Sequence, residues 1–238
     1  MNISEQINAS ETILFDASRL DSLDPSLFMP QFDNNNVIRL GRGTVYLFNY
    51  GSMSVVLRHY CRGGMVRHLI RDSYFYTGLD ETRMWREFHL LQLLQEKGLP
   101  VPTPLAVRCV KTSLFSYRGD IVTEVIPQAQ TLAQCLQEHE LTPELWGSLG
   151  TVLASFHSAG VYHADLNANN IMLDNERRFY LIDFDRGELR SPDNGTLWAE
   201  NNLQRLERSL RKLSVKHPVF HFLEHDWKAL NDAYTASN

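Results

Sequence analysis

Acidic and amide side chains are concentrated in two short stretches of the second half of the sequence. The first stretch reads HADLNANN at 163–170, and the second reads IDFD at 182–185. Phosphoryl transfer needs a carboxylate that accepts the proton of the attacking hydroxyl, together with oxygen ligands for a magnesium ion. Asp165 suits the proton-accepting role, while Asn170 and Asp183 suit the metal-binding role. These residue types therefore indicate phosphoryl transfer to a hydroxyl group.

The elements around these stretches are predicted to be short strands and long helices. The apolar runs Ile171–Leu173 and Phe179–Phe184 are typical of short buried strands. Thr142 and Pro143 predict the start of a helix that Gly160 ends. Helical patterns return at 197–215 and in a tail at 221–234. We therefore expect residues 127–238 to be mainly helical.

The first half is predicted to be an antiparallel sheet with one long helix. Residues 80–97 carry apolar side chains at helical spacing. Five runs separated by turns read as strands: 37–40, 45–50, 53–58, 105–111 and 120–126. Residues 1–36 are polar and turn-rich, so we expect a poorly defined N-terminal extension ahead of a sheet unit at 37–126.

A glycine turn lies between the first two predicted strands. Gly41, Arg42 and Gly43 would let backbone N–H groups approach phosphates closely, although an ordinary hairpin turn would look the same. The sequence contains no GxxxxGK motif, which excludes a P-loop NTPase.

The two acidic stretches resemble the catalytic loop and the metal loop of the protein-kinase-like superfamily. The pattern H-x-D-L-x-x-x-N matches at 163–170, and D-F-G matches at 183–184 with Asp185 in the place of glycine. The resemblance implies an α+β, two-lobed fold in one continuous catalytic domain. The N-lobe is an antiparallel sheet with one long helix, and the C-lobe is mainly helical. It also implies that Asp165 and His163 are catalytic residues and that Asn170 and Asp183 bind Mg²⁺.

The same resemblance assigns an ATP site in the first half. Arg58 stands where the superfamily usually carries lysine, and an arginine can bind two phosphate oxygens at once. Glu87 matches the helical glutamate that partners this cation, unless it is simply a solvated helix residue. Glu124 lies where the backbone of a hinge would contact adenine. The implied nucleotide-binding residues are Gly41, Arg42, Gly43, Arg58, Glu87 and Glu124.

A narrower resemblance covers roughly Val37 to Leu213. LRHYCRGG at 57–64, HADLNANNIML from His163 and IDFDRG from Ile182 are similar to the lipopolysaccharide kinase group. This implies phosphorylation by ATP of a hydroxyl, expected to be the 4-OH, of 3-deoxy-D-manno-octulosonic acid (Kdo) on a lipid A precursor during inner-core biosynthesis. It also implies a peripheral enzyme on the cytoplasmic face of the inner membrane.

The charge pattern agrees with an anionic acceptor. Residues 58–71 hold four arginines and two histidines without any acid, and the predicted helix at 200–217 is basic with a face of leucines. That helix could lie on an anionic membrane surface, or it could bury its leucines in the core. The net charge of −5 argues against nucleic acid as a partner. No obligate protein partner is evident, and no apolar run is long enough to span a membrane.

Two other functions remain open from the sequence. A small-molecule phosphotransferase of the aminoglycoside or choline type would act on cationic acceptors, which the arginine block at 58–71 disfavours. A nucleotide-binding pseudokinase would account for the missing lysine at Arg58 and for Asp185.

Overall fold

The computed structural model describes residues 2–20, 22–29, 38–40 (backbone only), 45–60, 74–191, 195 and 197–237. The chain forms two compact units. The first consists of Met1–Leu93 with Pro102–Val125, and the second of Leu94–Val101 with Ile126–Asn238. No helix among the described residues is long and apolar enough to cross a membrane.

The first unit is built on an antiparallel sheet. Its strands are β1 (Ile3–Ile7), β2 (Glu11–Asp16), β3 (Ile38–Leu40), β4 (Val45–Tyr50), β5 (Met53–His59), β6 (Tyr74–Phe75), β7 (Pro104–Ser113) and β8 (Ser116–Glu124). The strand order is β1-β2-β7-β8-β5-β4-β3, and β6 pairs with β8. A short 3-10 helix covers Pro25–Leu27, and helix α1 covers Arg83–Glu96. The long helix and the strands β3, β4, β5, β7 and β8 match the predicted elements, while β1, β2 and β6 were not predicted.

Local sequence explains the meander. Gly51 has a φ of 59°, the left-handed conformation that a tight two-residue turn between β4 and β5 requires. Val55 and Leu57 then alternate with exposed or half-buried neighbours, which places one face of β5 in the core.

The N-terminal segment differs from its prediction. The expectation of a poorly defined extension does not hold for its described part, because β1 and β2 form a hairpin and β2 pairs with β7, Leu14 opposite Val107. Leu20, Leu27 and Phe28 are buried in the same core. The sequence did not reveal this pairing, because β1 is polar and the apolar runs near it are short. The pairing of β2 also depends on partners about a hundred residues away.

The second unit combines four helices with short strands in its described residues. The helices are α2 (Leu132–Glu138), α3 (Pro143–Ser158), α4 (Leu197–Lys216) and α5 (Glu224–Ser237). The strands are β9 (Gln130–Thr131), β10 (Val161–Tyr162), β11 (Ile171–Leu173), β12 (Phe179–Leu181) and β13 (Glu188–Leu189). Helix α2 was not predicted from the pattern. Thr131 caps it through a reciprocal hydrogen-bonded pair with Gln134.

Helix α4 decides between the two interpretations of the leucine face. Leu203, Leu206 and Leu210 are buried in the second unit, while Leu213 is half-buried. The interpretation as a core helix is therefore the one that the structure supports. The exposed residues of α4 are mostly polar, with Leu197 and Val215 near its two ends as exposed apolar residues.

Candidate active site

The hairpin of β11 and β12 brings the two predicted metal ligands together. Ile171 is paired with Leu181, so Asn170, just before β11, lies opposite Ile182, and the backbone oxygen of Asn170 accepts a hydrogen bond from the N–H of Ile182 at 3.0 Å. Asp183 follows directly, with a φ of 63°. A non-glycine residue in this region is uncommon and is often found where function requires it.

His163 links the catalytic loop to the same hairpin. Its Nε2–H donates to the backbone oxygen of Ile182 at 3.0 Å, and its Nδ1 accepts from the backbone N–H of Asp165 at 3.1 Å. Burial lowers the pKa of His163 below its usual value, so the ring is neutral. Both ring nitrogens are thus occupied and the side chain is only 3% exposed. His163 therefore orients Asp165 and is not placed to transfer a proton itself.

Asp165 differs from His163 in its exposure. The Asp165 side chain is 64% exposed, while its backbone oxygen accepts hydrogen bonds from the side-chain amides of Asn167 and Asn170, each at 2.9 Å. These contacts hold the loop while leaving the carboxylate open to a substrate.

Helix α4 supports the catalytic loop with three residues that sequence reasoning missed. The buried Asn202 accepts from the backbone N–H of His163 at 3.1 Å and donates to its backbone oxygen at 2.9 Å. Ser209 accepts from the N–H of Ala168 at 3.3 Å, and Arg205 lies 3.7 Å from the carboxylate of Asp165. One signal for Asn202 was available, since it occupies a position of the leucine stripe four residues before Leu206.

The chain segment that precedes His163 depends on a close backbone contact at Gly160. Gly160 has a φ of 78°, and a Cβ there would lie 2.6 Å from the backbone oxygen of Arg190. The backbone oxygen of Gly160 accepts from the N–H of Arg190 at 2.8 Å, next to the pairing of β10 with β13. Only glycine suits this position, which ends α3 and leads directly into the catalytic loop.

In the first unit, Arg58 and Glu87 form the predicted ion pair. Glu87 is 3% exposed and bonds to both Arg58 and the hydroxyl of Tyr60. Arg58 also donates to the Tyr60 hydroxyl at 2.9 Å, and 20% of its side chain is exposed. This burial excludes a solvated helix residue at Glu87. Tyr60 was missed, although it lies two residues after Arg58 and thus on the same side of the chain.

Of the other residues predicted to bind the nucleotide, only Glu124 lies in the described part of the chain. Glu124 is the last residue of β8; its backbone N–H donates to the oxygen of Thr103 at 2.8 Å, and its carboxylate pairs with Arg19 at 3.2 Å. A contact of Glu124 with adenine, which must then use its carbonyl, stays a prediction. Gly41, Arg42 and Gly43 lie outside the described residues. So do Arg62, Arg67, His68 and Arg71 of the arginine block.

The residues beside the catalytic loop fit a magnesium ion. Asn170 uses its amide nitrogen toward Asp165, which leaves its side-chain oxygen as a ligand beside the half-buried Asp183. In the described part of the chain, no three His, Cys, Asp or Glu side chains cluster as a metal site. Mg²⁺ suits such a sparse set, because it commonly takes one or two protein oxygens together with substrate phosphates and water.

This arrangement can support phosphoryl transfer. One open carboxylate is oriented by a neutral histidine, and two oxygen ligands lie at the end of the adjacent hairpin. The catalytic, metal-binding and nucleotide-binding roles of these residues stay predictions.

Comparison with known proteins agrees with this chemistry. The model of the "Lipopolysaccharide kinase (Kdo/WaaP) family" matches residues 34–234. A protein of Vibrio vulnificus (strain YJ016) named 3-deoxy-D-manno-octulosonic acid kinase is 37% identical over 236 residues, covering 98% of both chains. A protein of the same name from Stenotrophomonas maltophilia (strain R551-3) is 41% identical over 226 residues, covering 93% of this chain and 88% of the other.

Two solved structures share the fold. "WaaP in complex with acyl carrier protein" aligns with a TM-score of 0.54 and 18% identity, covering 85% of this chain and 79% of the other. A glucosamine kinase aligns with a TM-score of 0.55 and 12% identity, covering 97% and 67%. The predicted kinase-like fold is thereby confirmed.

Proposed function

This chain belongs to the lipopolysaccharide kinase (Kdo/WaaP) family, and we propose that it transfers the γ-phosphoryl group of ATP to the 4-OH of a Kdo residue on a lipid A precursor. Family membership makes it a phosphotransferase with a hydroxyl acceptor. The observation that carries the proposal is the placement of an exposed Asp165 beside Asn170 and Asp183 through the contacts of Ile182. The named relatives support Kdo as the sugar.

Asp165 has the part of general base. The acceptor oxygen forms a bond to the γ-phosphorus as the bond from that phosphorus to the β–γ bridging oxygen breaks. The acceptor's proton passes to Asp165, and ADP leaves with the bridging oxygen. His163 and Asn202 hold the backbone of the loop, so the carboxylate is already oriented when the acceptor arrives.

The negative charge of the ATP phosphates would be balanced by side chains whose positions are fixed by their neighbours. Arg58 would bind phosphate oxygens, and its pairing with Glu87 and Tyr60 restricts its rotamers. Asp183 and Asn170 would hold the magnesium ion, which supplies positive charge to the phosphates when bound.

A labelled-phosphate assay tests the function. We expect the purified protein to move label from γ-labelled ATP to a Kdo-bearing lipid A precursor in detergent micelles, and NMR of the product to place the phosphate on the 4-OH. Aminoglycosides and choline should accept no label, because their positive charge is repelled by arginines. Transfer of label to an aminoglycoside or to choline would establish the small-molecule alternative. Absence of turnover with any acceptor would refute the proposal.

The second part of the proposal is a peripheral location on the cytoplasmic face of the inner membrane, where a lipid-linked acceptor would lie. Helix α4 is a poor candidate for the lipid contact, because Leu203, Leu206 and Leu210 on its apolar face are buried. Its charge is also partly compensated, since Arg211 pairs with Glu207 at 2.7 Å and with Glu224 at 2.8 Å.

The tip of the β7–β8 hairpin is a better candidate. Leu114 is 87% exposed, and Phe115 and Phe75 are each 65% exposed with their rings stacked 6.3 Å apart. Lys111 and Arg118 flank the tip, and no acid occurs between Pro104 and Gly119. Exposed aromatic and apolar side chains beside cations suit the interface of an anionic bilayer.

Vesicle binding checks this location. The unchanged protein is expected to co-sediment with vesicles containing phosphatidylglycerol, and the double variant Leu114→Ser with Phe115→Ser should bind at least about 10-fold more weakly. Val215→Ser is the matched control, because Val215 is 90% exposed elsewhere and its loss should change nothing. Equal binding of all three proteins, or loss only on reversal of Arg208 and Arg211 to Glu, would exclude the hairpin as the lipid contact.

A further inference from the structure

A polar cavity lies beside the catalytic loop in the second unit. It has a volume of about 440 Å³, and its described lining is Glu188, Arg190, Leu197, Trp198 and Asn201. That volume is in the range of small-ligand sites. Arg190 stacks on the ring of Tyr162 at 3.6 Å, and Tyr162 immediately precedes His163. The cavity is therefore adjacent to the segment that orients the base.

Helix α4 connects this cavity to Asp165. Asn201 lines the cavity, and Arg205 follows four residues later, about 6 Å further along the helix and on the same side. Both side chains are exposed, while Asn202 between them is buried against His163. A ligand in the cavity would thus extend past Arg205 to reach the base.

The contact between Arg205 and Asp165 is loose. Their nearest charged atoms are 3.7 Å apart, well beyond the roughly 2.7–2.9 Å of a charge-assisted hydrogen bond. The Arg205 side chain is 45% exposed, so the pair is open to water and stabilises the fold little. A guanidinium has five N–H donors arranged to bind a carboxylate or phosphate through two bonds.

We propose that this cavity and Arg205 form the acceptor site, in which Arg205 binds the carboxylate of an anionic sugar and thereby leaves Asp165 to take the proton of the sugar hydroxyl. The inference rests on the proposed function, because Kdo is a sugar acid. In the cavity itself the charge of Arg190 is compensated by Glu188 at 2.8 Å, so Arg205 is the cation that is left to bind the acceptor. Trp198 lines the cavity and packs edge-on against His157 at 5.4 Å. An acceptor without a negative charge would leave Arg205 paired with Asp165. The enzyme would therefore prefer an acceptor whose carboxylate replaces Asp165 as the partner of Arg205.

The test pairs a change in the protein with a change in the acceptor. The acceptors are a Kdo-bearing lipid A precursor in detergent micelles and the same molecule with its Kdo carboxylate converted to a methyl ester. With the unchanged protein, kcat/KM for the ester should be lower by a factor of about 10–100. Arg205→Gln should lose a similar factor with the acid and lose nothing further with the ester. Arg205→Lys should retain part of the preference for the acid.

Arg208→Gln is the matched control, since it removes an exposed cation from the same helix three residues away and should alter neither acceptor. Equal losses of kcat/KM on both acceptors in Arg205→Gln would overturn the proposal, because Arg205 would then act only through Asp165. Unchanged kinetics would overturn it as well.

Calorimetry with Kdo alone separates this inference from the proposed function. If Kdo binds and Arg205→Gln weakens its binding, the site stands even where the phosphoryl transfer assay fails. If Kdo-lipid is phosphorylated but Arg205→Gln binds and uses it normally, the function stands and the site is refuted. Absence of both binding and turnover refutes both.

Discussion

Replacing Asp165 by asparagine is expected to lower kcat by about 10²–10⁴-fold while leaving the affinity for Mg-ATP close to its normal value. Asparagine has the same shape but cannot accept the proton of the hydroxyl. The fold should tolerate the change, because the carboxylate is 64% exposed and its pair with Arg205 is loose. Exposed ion pairs of this kind contribute about 0–1 kcal/mol to the free energy of unfolding.

Steady-state kinetics with the Kdo-lipid acceptor and calorimetry with Mg-ATP measure the two quantities separately. Asp232→Asn is a suitable control, since Asp232 is an exposed acid on α5 paired with Lys228. The assignment of Asp165 as base is wrong if the variant keeps full turnover, or if it loses nucleotide binding instead.

Replacing Asp183 by asparagine should produce a different defect. Loss of the negative oxygen ligand is expected to weaken magnesium-dependent ATP binding by roughly 10²-fold and to reduce turnover along with it. Asparagine tolerates the left-handed backbone that a φ of 63° imposes, so the loop should keep its conformation. The thermal unfolding midpoint should therefore stay close to that of the unchanged protein.

Titration of ATP at increasing magnesium concentrations checks this second prediction. A right-shifted magnesium dependence in Asp183→Asn, set against a normal one in Asp165→Asn, is the expected contrast. The opposite pattern would exchange the two roles. Full activity in both variants would remove the basis of the kinase mechanism, since the mechanism depends on these two acids.

Local sequence was sufficient for the parts of the site whose residues are neighbours in the chain. His163, Asp165 and Asn170 share one loop, and the two apolar runs that follow it were predicted as short strands, while their pairing as a hairpin came only from the structure. The pairing of Arg58 with Glu87 needed the resemblance to the kinase superfamily as well, because 29 residues separate the two.

Contacts between distant segments account for what was missed. Asn202 bonds to His163 across 39 residues, and a helical pattern shows only that its position faces inward. Arg205 looks like any other cation on a solvated helix until its distance to Asp165 is known. The contacts of His163 also needed the structure, since only the structure shows that both ring nitrogens have backbone partners.

The hairpin of β1 and β2 also affects whether the sheet can pair edge to edge with the sheet of another molecule. Strand β7 is long and largely apolar, and without β2 beside it a row of unpaired backbone groups would be open to another molecule's strand. Such an edge is a template for aggregation. Strand β1, which ends the sheet in its place, is short, mostly exposed and carries Glu5. A short, exposed and charged edge strand disfavours pairing with the strand of a second copy, so the polar N-terminal residues suit the edge of this sheet.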